Sequence, residues 1–313
     1  MPVFILRRLL ATIPVMMMVA LVVFAVLRLT PGDPAAIIAG DSATPEQLDL
    51  IRHQMGLDRP IPMQFLLWLM QLVRGDLGSS LISGVPVLGM VTDRIGPSLS
   101  LATLTIVFTV LVAIPLGVVA AWQQGKLLDR AVMAFSVVGF SVPVFVTGYV
   151  LILVFSISLG WFPVQGYKPL ADGLWPFLQR LILPTIALST IYIALIARIT
   201  RTSIIEVMNE DYIRTARAKG LKESAVLMRH ALRNAAVPIV TIIGVGIALL
   251  ISGVVVTESV FNLPGLGRLV VEAVLARDYP VIQGLILLFS FVYILINLIV
   301  DVLYTVFDPR IRY

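Results

Sequence analysis

Six apolar runs dominate the sequence: Leu9 to Leu29, Leu99 to Trp122, Ala131 to Leu159, Leu181 to Ile199, Ala235 to Thr257 and Val281 to Phe307. Each approaches or exceeds the ~20 residues that carry a helix across a hydrocarbon core roughly 30 Å thick. A backbone in lipid must satisfy its own N–H and C=O groups, so runs of this length are predicted to be helices. Composition agrees. The 313 residues are 59% hydrophobic and 13% charged, with a mean hydropathy of +1.00, whereas about a quarter of a soluble domain is charged. The expected fold is an all-α polytopic membrane protein with six transmembrane helices and a small extracytoplasmic subdomain between the first two.

Arg7 and Arg8 precede the first run, which is too long for a signal-peptide core. The Thr30-Pro31-Gly32-Asp33-Pro34 stretch after it does not look like a cleavage site, so residues 1–29 are read as a cytoplasmic end and a retained span. Residues 30–97 form the subdomain, with Thr44 as N-cap of a short helix opening at Pro45 and an aromatic and aliphatic face from Phe65 to Val73 suited to a membrane surface. Its small apolar mass predicts packing against the membrane part or a partner chain. Residues 98–313 are the five-span core, with a cytoplasmic loop at about 200–234. Pro115, Pro143 and Pro184 interrupt these spans, which membrane helices tolerate. Gly244, Gly246 and Gly253 give the fifth a small-residue face for close packing. Trp161, Tyr167 and Trp175 suit an interface. The turn Leu263-Pro264-Gly265-Leu266-Gly267 leads into an amphipathic run carrying Leu269, Val270, Ala273 and Val274, read equally as a structural lid or a substrate contact.

An even number of spans puts both ends on one side. Fourteen of the 23 cations fall on the side of the termini and the central loop, and five of the other nine lie at or in the long first loop, where charge has less influence. Both termini and the central loop are therefore expected in the cytoplasm.

That central loop, Glu210 to Arg233, is charged and helix-favouring. Its cations Arg214, Arg217, Lys219, Lys222, Arg229 and Arg233 alternate with small or apolar residues, which predicts a structured basic surface. Gly220 divides it, and Leu221, Ala225, Met228 and Leu232 follow at helical spacing, so the expectation is helix, glycine corner, helix. Thr215, Ala216, Ala218 and Gly220 have little side chain, so a partner's groove could approach the backbone closely. A positive-inside loop that only holds topology is the plain alternative.

Several chemistries find no support. The lone Gly125-Lys126 pair lacks the rest of a phosphate loop, and Gly139-Phe140-Ser141-Val142-Pro143 lacks the second glycine of a nucleophile elbow. Cysteine is absent, the two histidines His53 and His230 fall on opposite sides of the expected topology, and no metal site is expected. The cations lack the aromatic companions of a nucleic-acid face. Asp301, with Asn297 one turn earlier, is the clearest charge within a span, and its position near the cytoplasmic end favours a helix-end contact over a proton relay. Scarce mid-span charge and the lack of a convincing inverted repeat argue against a stand-alone secondary transporter and for energy supplied from outside the chain.

Arg7-Arg8-Leu9, Leu29-Thr30-Pro31-Gly32-Asp33-Pro34, Met55-Gly56-Leu57-Asp58 and Gly75-Asp76-Leu77-Gly78 occur in that order. They are followed by Asp211-Tyr212-Ile213-Arg214-Thr215-Ala216-Arg217-Ala218-Lys219-Gly220, Val260-Phe261 with Pro264-Gly265-Leu266-Gly267, Arg277-Asp278-Tyr279-Pro280, Asp301-Val302-Leu303-Tyr304 and Asp308-Pro309-Arg310. In this order and spacing the chain resembles, over essentially its whole length, the permease subunits of bacterial peptide-type ATP-binding-cassette importers, the dipeptide, oligopeptide, glutathione and nickel group. The resemblance implies a type I importer permease that forms half of a path for short peptides, with nickel or a sugar as alternative cargo. It implies no catalysis and no cofactor in this chain, ATP and Mg in two partner ATPase subunits, a second permease and an extracytoplasmic binding protein, all at the bacterial inner membrane. The Asp211–Gly220 stretch resembles the EAA loop, so Tyr212, Arg214, Thr215, Ala216, Arg217, Ala218, Lys219 and Gly220 are expected to couple to an ATPase. Arg214-Thr215-Ala216 stands where that motif has Glu-Ala-Ala, and the proline expected soon after the loop comes only at Pro238. Substrate-binding residues are unknown at this stage.

Overall fold

The structure, a computed structural model, describes residues 2–29, 35, 44–54 and 56–307. Thr30 to Pro34, Met55 and the Asp308-Pro309-Arg310 tail lie outside the described residues. Among the described residues there are helices and turns, and a single isolated bridge, Ser79 to Pro86, in place of any sheet. Among the described residues five helices are long and apolar enough to cross a membrane, or six when one bent pair is counted as a single span. The chain divides into two compact units, residues 1–96 with 268–295 and residues 97–267 with 296–313, so the unit boundaries fall inside helices.

The first unit opens with α1, Pro2–Leu29. α2, Pro45–Gln54, begins with the expected cap. The Gln47 N–H donates to Thr44 Oγ1 at 3.4 Å and the Thr44 N–H to Gln47 Oε1 at 3.0 Å, a reciprocal capping box. α3, Ile61–Val73, sets Phe65 and Trp68 against Phe24 of α1, with ring centroids 5.3 and 5.7 Å away. Ile61, Leu66, Met70 and Val73 are exposed. The unit also holds the first turns of α4, Val87–Trp122, and residues 268–295 of α11, Leu266–Ala276, and α12, Tyr279–Phe307. The Asp278 carboxylate, 4% exposed, accepts from the Ser80 hydroxyl and from the Leu81 N–H at 3.0 Å, pinning the tight loop before α4. Arg94 of α4 and Arg268 of α11 reach the Glu272 carboxylate at 2.7 and 2.8 Å. Burial opposes that charge, but the two guanidiniums hold the carboxyl below its usual range.

The second unit is built on α7, Leu174–Met208. Its residues Leu181, Leu188, Ala197 and Ile204 are fully buried. Around it lie the rest of α4, α5 (Leu127–Ser141) and α10 (Ala236–Val260). Lipid tails are as apolar as leucine, so these helices gain from close packing rather than from leaving water. A Cβ on Gly117 of α4 would lie 2.6 Å from Thr200 Cβ, one on Gly253 of α10 2.6 Å from Leu188 Cδ1, and one on Gly244 2.5 Å from Val300 Cγ2 of α12. The small-residue face expected on the fifth span is thus occupied by neighbouring side chains.

The third span, expected over Ala131 to Leu159 with Pro143 interrupting it, is broken into two helices. α5 ends at Ser141, α6 runs over Val144–Ser158 with a π-helical second half, and the two axes meet at 103°. Val142 is extended at φ −89°, ψ 121°, and Pro143 caps α6. Proline disfavours the helical region for the residue before it, and its ring nitrogen has no hydrogen to give. Pro115 and Pro184, by contrast, stay inside α4 and α7. Gly148 of α6 then admits Val260 and Phe261, whose nearest atoms would lie 3.1 and 3.2 Å from an added Cβ.

Glu258, one residue past the expected end of the fifth span at Thr257, lies inside α10 and is 0% exposed. Ser98 donates its hydroxyl hydrogen to the Glu258 carboxylate and accepts the Leu266 N–H at 2.8 Å, so it links that carboxylate to the first residue of α11. A Cβ on Gly265 would lie 2.1 Å from Glu258 Oε1, so any side chain there would displace the carboxylate. Glu258 is a buried span-end carboxylate that composition alone did not reveal.

Candidate functional site

α7 runs past the expected end of its span at Ile199 to Met208 and leads directly into the basic segment. The Glu210 N–H closes on Val207 O at 3.1 Å, Glu210 turns extended, and α8, Asp211–Ala218, begins. Asp211 lies in its first turn and Arg217 in its last, signs that oppose the partial charges of the helix ends.

The end of α8 explains Gly220. The Gly220 N–H donates to Arg217 O at 2.9 Å and the Leu221 N–H to Ala216 O at 3.4 Å, the two bonds of a Schellman cap. That cap requires a left-handed residue, and Gly220 has φ +79°. Nothing lies within 4 Å of where its Cβ would be, so the requirement is conformational. Beyond the corner, α9 starts at Glu223, passes through a π-helical turn over Val226–Ala231 and ends at Asn234. Helix, glycine corner and helix are all present.

Arg217 staples the corner shut. Its Nε donates to Glu223 Oε1 at 2.7 Å and its Nη2 to Glu223 Oε2 at 3.3 Å, a forked contact that raises the guanidinium pKa above its usual value. Arg214 leans on Asp211 at 3.3 Å with both side chains mostly in solvent, a pair of little energetic weight. Burial and then the nearby Glu210 carboxylate push the Tyr212 phenol up, so it is a neutral hydroxyl at neutral pH.

Ile213 and Ala216 are buried, at 0% and 8% exposure, and cluster with Val226 of α9, with Val207 and Met208 of α7 packed against them. Tyr212, Arg214, Thr215, Arg217, Ala218, Lys219 and Gly220 are exposed. The structure therefore separates the expected coupling residues. Seven form the outer face of the corner, whereas Ala216 turns inward, where its small side chain lets α8 approach its own α7 and α9 rather than a partner.

One further pair adjoins the site. Asp129, the third residue of α5, binds Arg201 of α7 through both carboxylate oxygens, with Nη2 to Oδ2 at 2.7 Å and the second bond from Nε to Oδ1. The residues are 72 positions apart in sequence, so neither signals its partner in the linear pattern. An acidic residue at the mouth of an apolar run, two positions before Ala131, was the only available cue. Among the described residues no three His, Asp or Glu side chains gather as a metal site would need.

Comparison with known proteins places this arrangement. Residues 113–313 match the family described as binding-protein-dependent transport system inner membrane component, and residues 1–102 match its N-terminal counterpart. A probable peptide ABC transporter permease protein of Sinorhizobium fredii is 54% identical over 313 residues, 100% of both chains. A putative peptide transport system permease protein of Brucella abortus is 47% identical, covering 99% of this chain and 98% of that one. The glutathione transport system permease protein GsiC of Escherichia coli is 45% identical, covering 99% of each. A chain of the MetNI methionine ABC transporter, solved in inward-facing conformations, shares the fold at a TM-score of 0.59 and 17% identity, over 71% of this chain and 97% of that one. The chain belongs to the inner-membrane permease family of binding-protein-dependent transport systems.

Proposed function

We propose that this permease subunit lines half of an import path for short peptides, glutathione-like peptides included, and that its α8–α9 corner receives the work of ATP hydrolysis from separate ATPase subunits. The observation that carries the coupling reading is the corner itself. It is a structured basic projection, closed by a Schellman cap and the Arg217–Glu223 fork, on a chain whose sequence holds no phosphate loop of its own. Tyr212, Arg214, Thr215, Arg217, Ala218, Lys219 and Gly220 offer an ATPase cleft a structured surface, and Ala216 fixes that surface to α7.

The peptide reading is supported by the names of relatives that align end to end with this chain. In this reading the assembly holds a second permease, two ATPases that bind ATP and Mg, and an extracytoplasmic binding protein. The chain catalyses nothing, and both termini and the corner lie in the cytoplasm. Uptake of a labelled dipeptide, a labelled tripeptide and labelled glutathione into cells lacking the subunit tests the cargo. Loss of at least one uptake, restored by the wild-type chain, is expected. Unchanged uptake of all three, with other peptide importers removed, contradicts the peptide reading.

A further inference from the structure

Within ten residues of the end of α7, two neighbouring residues hold two other helices. Thr200 receives α4: a Cβ on Gly117 would lie 2.7 Å from Ala197 O and 2.6 Å from Thr200 Cβ, so the two helices meet backbone to backbone. Arg201 receives α5 through Asp129. The Asp129 side chain is 5% exposed and that of Arg201 20%. The carboxylate is fully engaged, because Oδ2 also accepts the Gly125 N–H at 2.8 Å, and Gly125, at φ +79°, makes the short turn joining α4 to α5. The pair therefore binds α5 and the α4–α5 turn to α7 at one level.

A forked pair with a covered carboxylate is not an economical way to gain stability, since desolvation offsets much of the attraction. What it does supply is a fixed geometry, as a planar guanidinium on a carboxylate permits few relative orientations. Its position gives that geometry a use. Arg201 lies seven residues, about 10 Å of helix, before Met208, and Met208 packs against Ile213 and Ala216 of the corner.

We infer that the Asp129–Arg201 pair is the link that makes the ends of α4, α5 and α7 next to the corner move as one body with it, so that a displacement received at α8 reaches three spans rather than α7 alone. The inference rests on the coupling reading above. Asp129 and Arg201 are positioning residues, since they bind each other and the α4–α5 turn and lie outside the exposed face of the corner.

The test uses dipolar spectroscopy on the complete complex in lipid. The chain has no cysteine, so spin labels on Leu127→Cys and Arg198→Cys, both exposed positions, report the spacing of α5 and α7 once accessible partner cysteines are replaced. With Asp129 and Arg201 intact, one narrow distance is expected, unchanged within about 2 Å between the nucleotide-free and ATP-vanadate-trapped states. Helix shifts in switching proteins are of about that size or larger. Asp129→Asn is expected to broaden or split the distance by more than about 2 Å on trapping. Arg201→Gln, which leaves Asp129 bonded to Gly125, is expected to do the same.

A label distance that changes on trapping with the pair intact overturns the inference. So does an unchanged narrow distance in both variants, or failure of both variants to assemble with ATPase subunits, which would make the pair a folding element only. If the unsubstituted chain itself recruits no ATPase, the coupling reading fails first, and that result is visible before any label is read.

Discussion

Gly220 is held by an angle and Gly244 by space, and the two respond differently to substitution. At Gly220 a Cβ meets nothing within 4 Å, but φ +79° costs an L-residue about 1–2 kcal/mol. That is a factor of roughly 5–30 in a two-state equilibrium, here the population of the closed corner. Asparagine tolerates the left-handed region better than other non-glycine residues. Gly220→Asn is therefore expected to retain ATPase subunits through purification nearly as the unsubstituted chain does, and Gly220→Val to lose most of them. Equal retention by both would show that the cap does not shape the docking surface. The corner was legible in the sequence because each of its signals is local: a glycine between two amphipathic runs, and cations spaced among small residues. The inward packing of Ala216 was not legible, because a small residue reads alike whether it admits a partner or its own chain. Asp129 and Glu258 were missed because each is bonded to a residue far along the sequence, Arg201 at 72 positions and Ser98 at 160.

At the scale of the element, apolar length located every span, while its shape depended on packing. Pro115, Pro143 and Pro184 carry the same local signal, yet only Pro143 separates two helices. The extended Val142 before it and the seat that Gly148 finds against Val260 and Phe261 accompany that break. Helix ends were also understated. α4 begins at Val87 and α7 continues to Met208, because amphipathic turns beyond the apolar run add helix that hydropathy does not count. The close contact between α10 and α12 can be tested directly. Gly244→Ala drives a methyl group into Val300, an overpacking expected to cost about 1–3 kcal/mol. Gly89→Ala, in α4 with nothing within 4 Å, is expected to be neutral or to gain up to about 1 kcal/mol from helix propensity. The temperature at which each variant loses monodispersity in detergent should fall for Gly244→Ala and hold or rise for Gly89→Ala. The reverse order would contradict the packing described for α10.

For the whole molecule, composition was enough for class and span number, and the order of short motifs was enough for the family. The division into two units was not legible, because residues 268–295 join residues 1–96 across most of the chain. The central claim is that this permease works through ATPase subunits gripping the α8–α9 corner. Its most direct test is to purify the tagged chain from its native membrane in mild detergent and identify the co-purifying proteins by mass spectrometry. The account predicts ATPase subunits and a second permease in fixed ratio to the chain, with a binding protein captured when cargo is present. Recovery of the chain alone, from a detergent in which a control importer stays assembled, would contradict it.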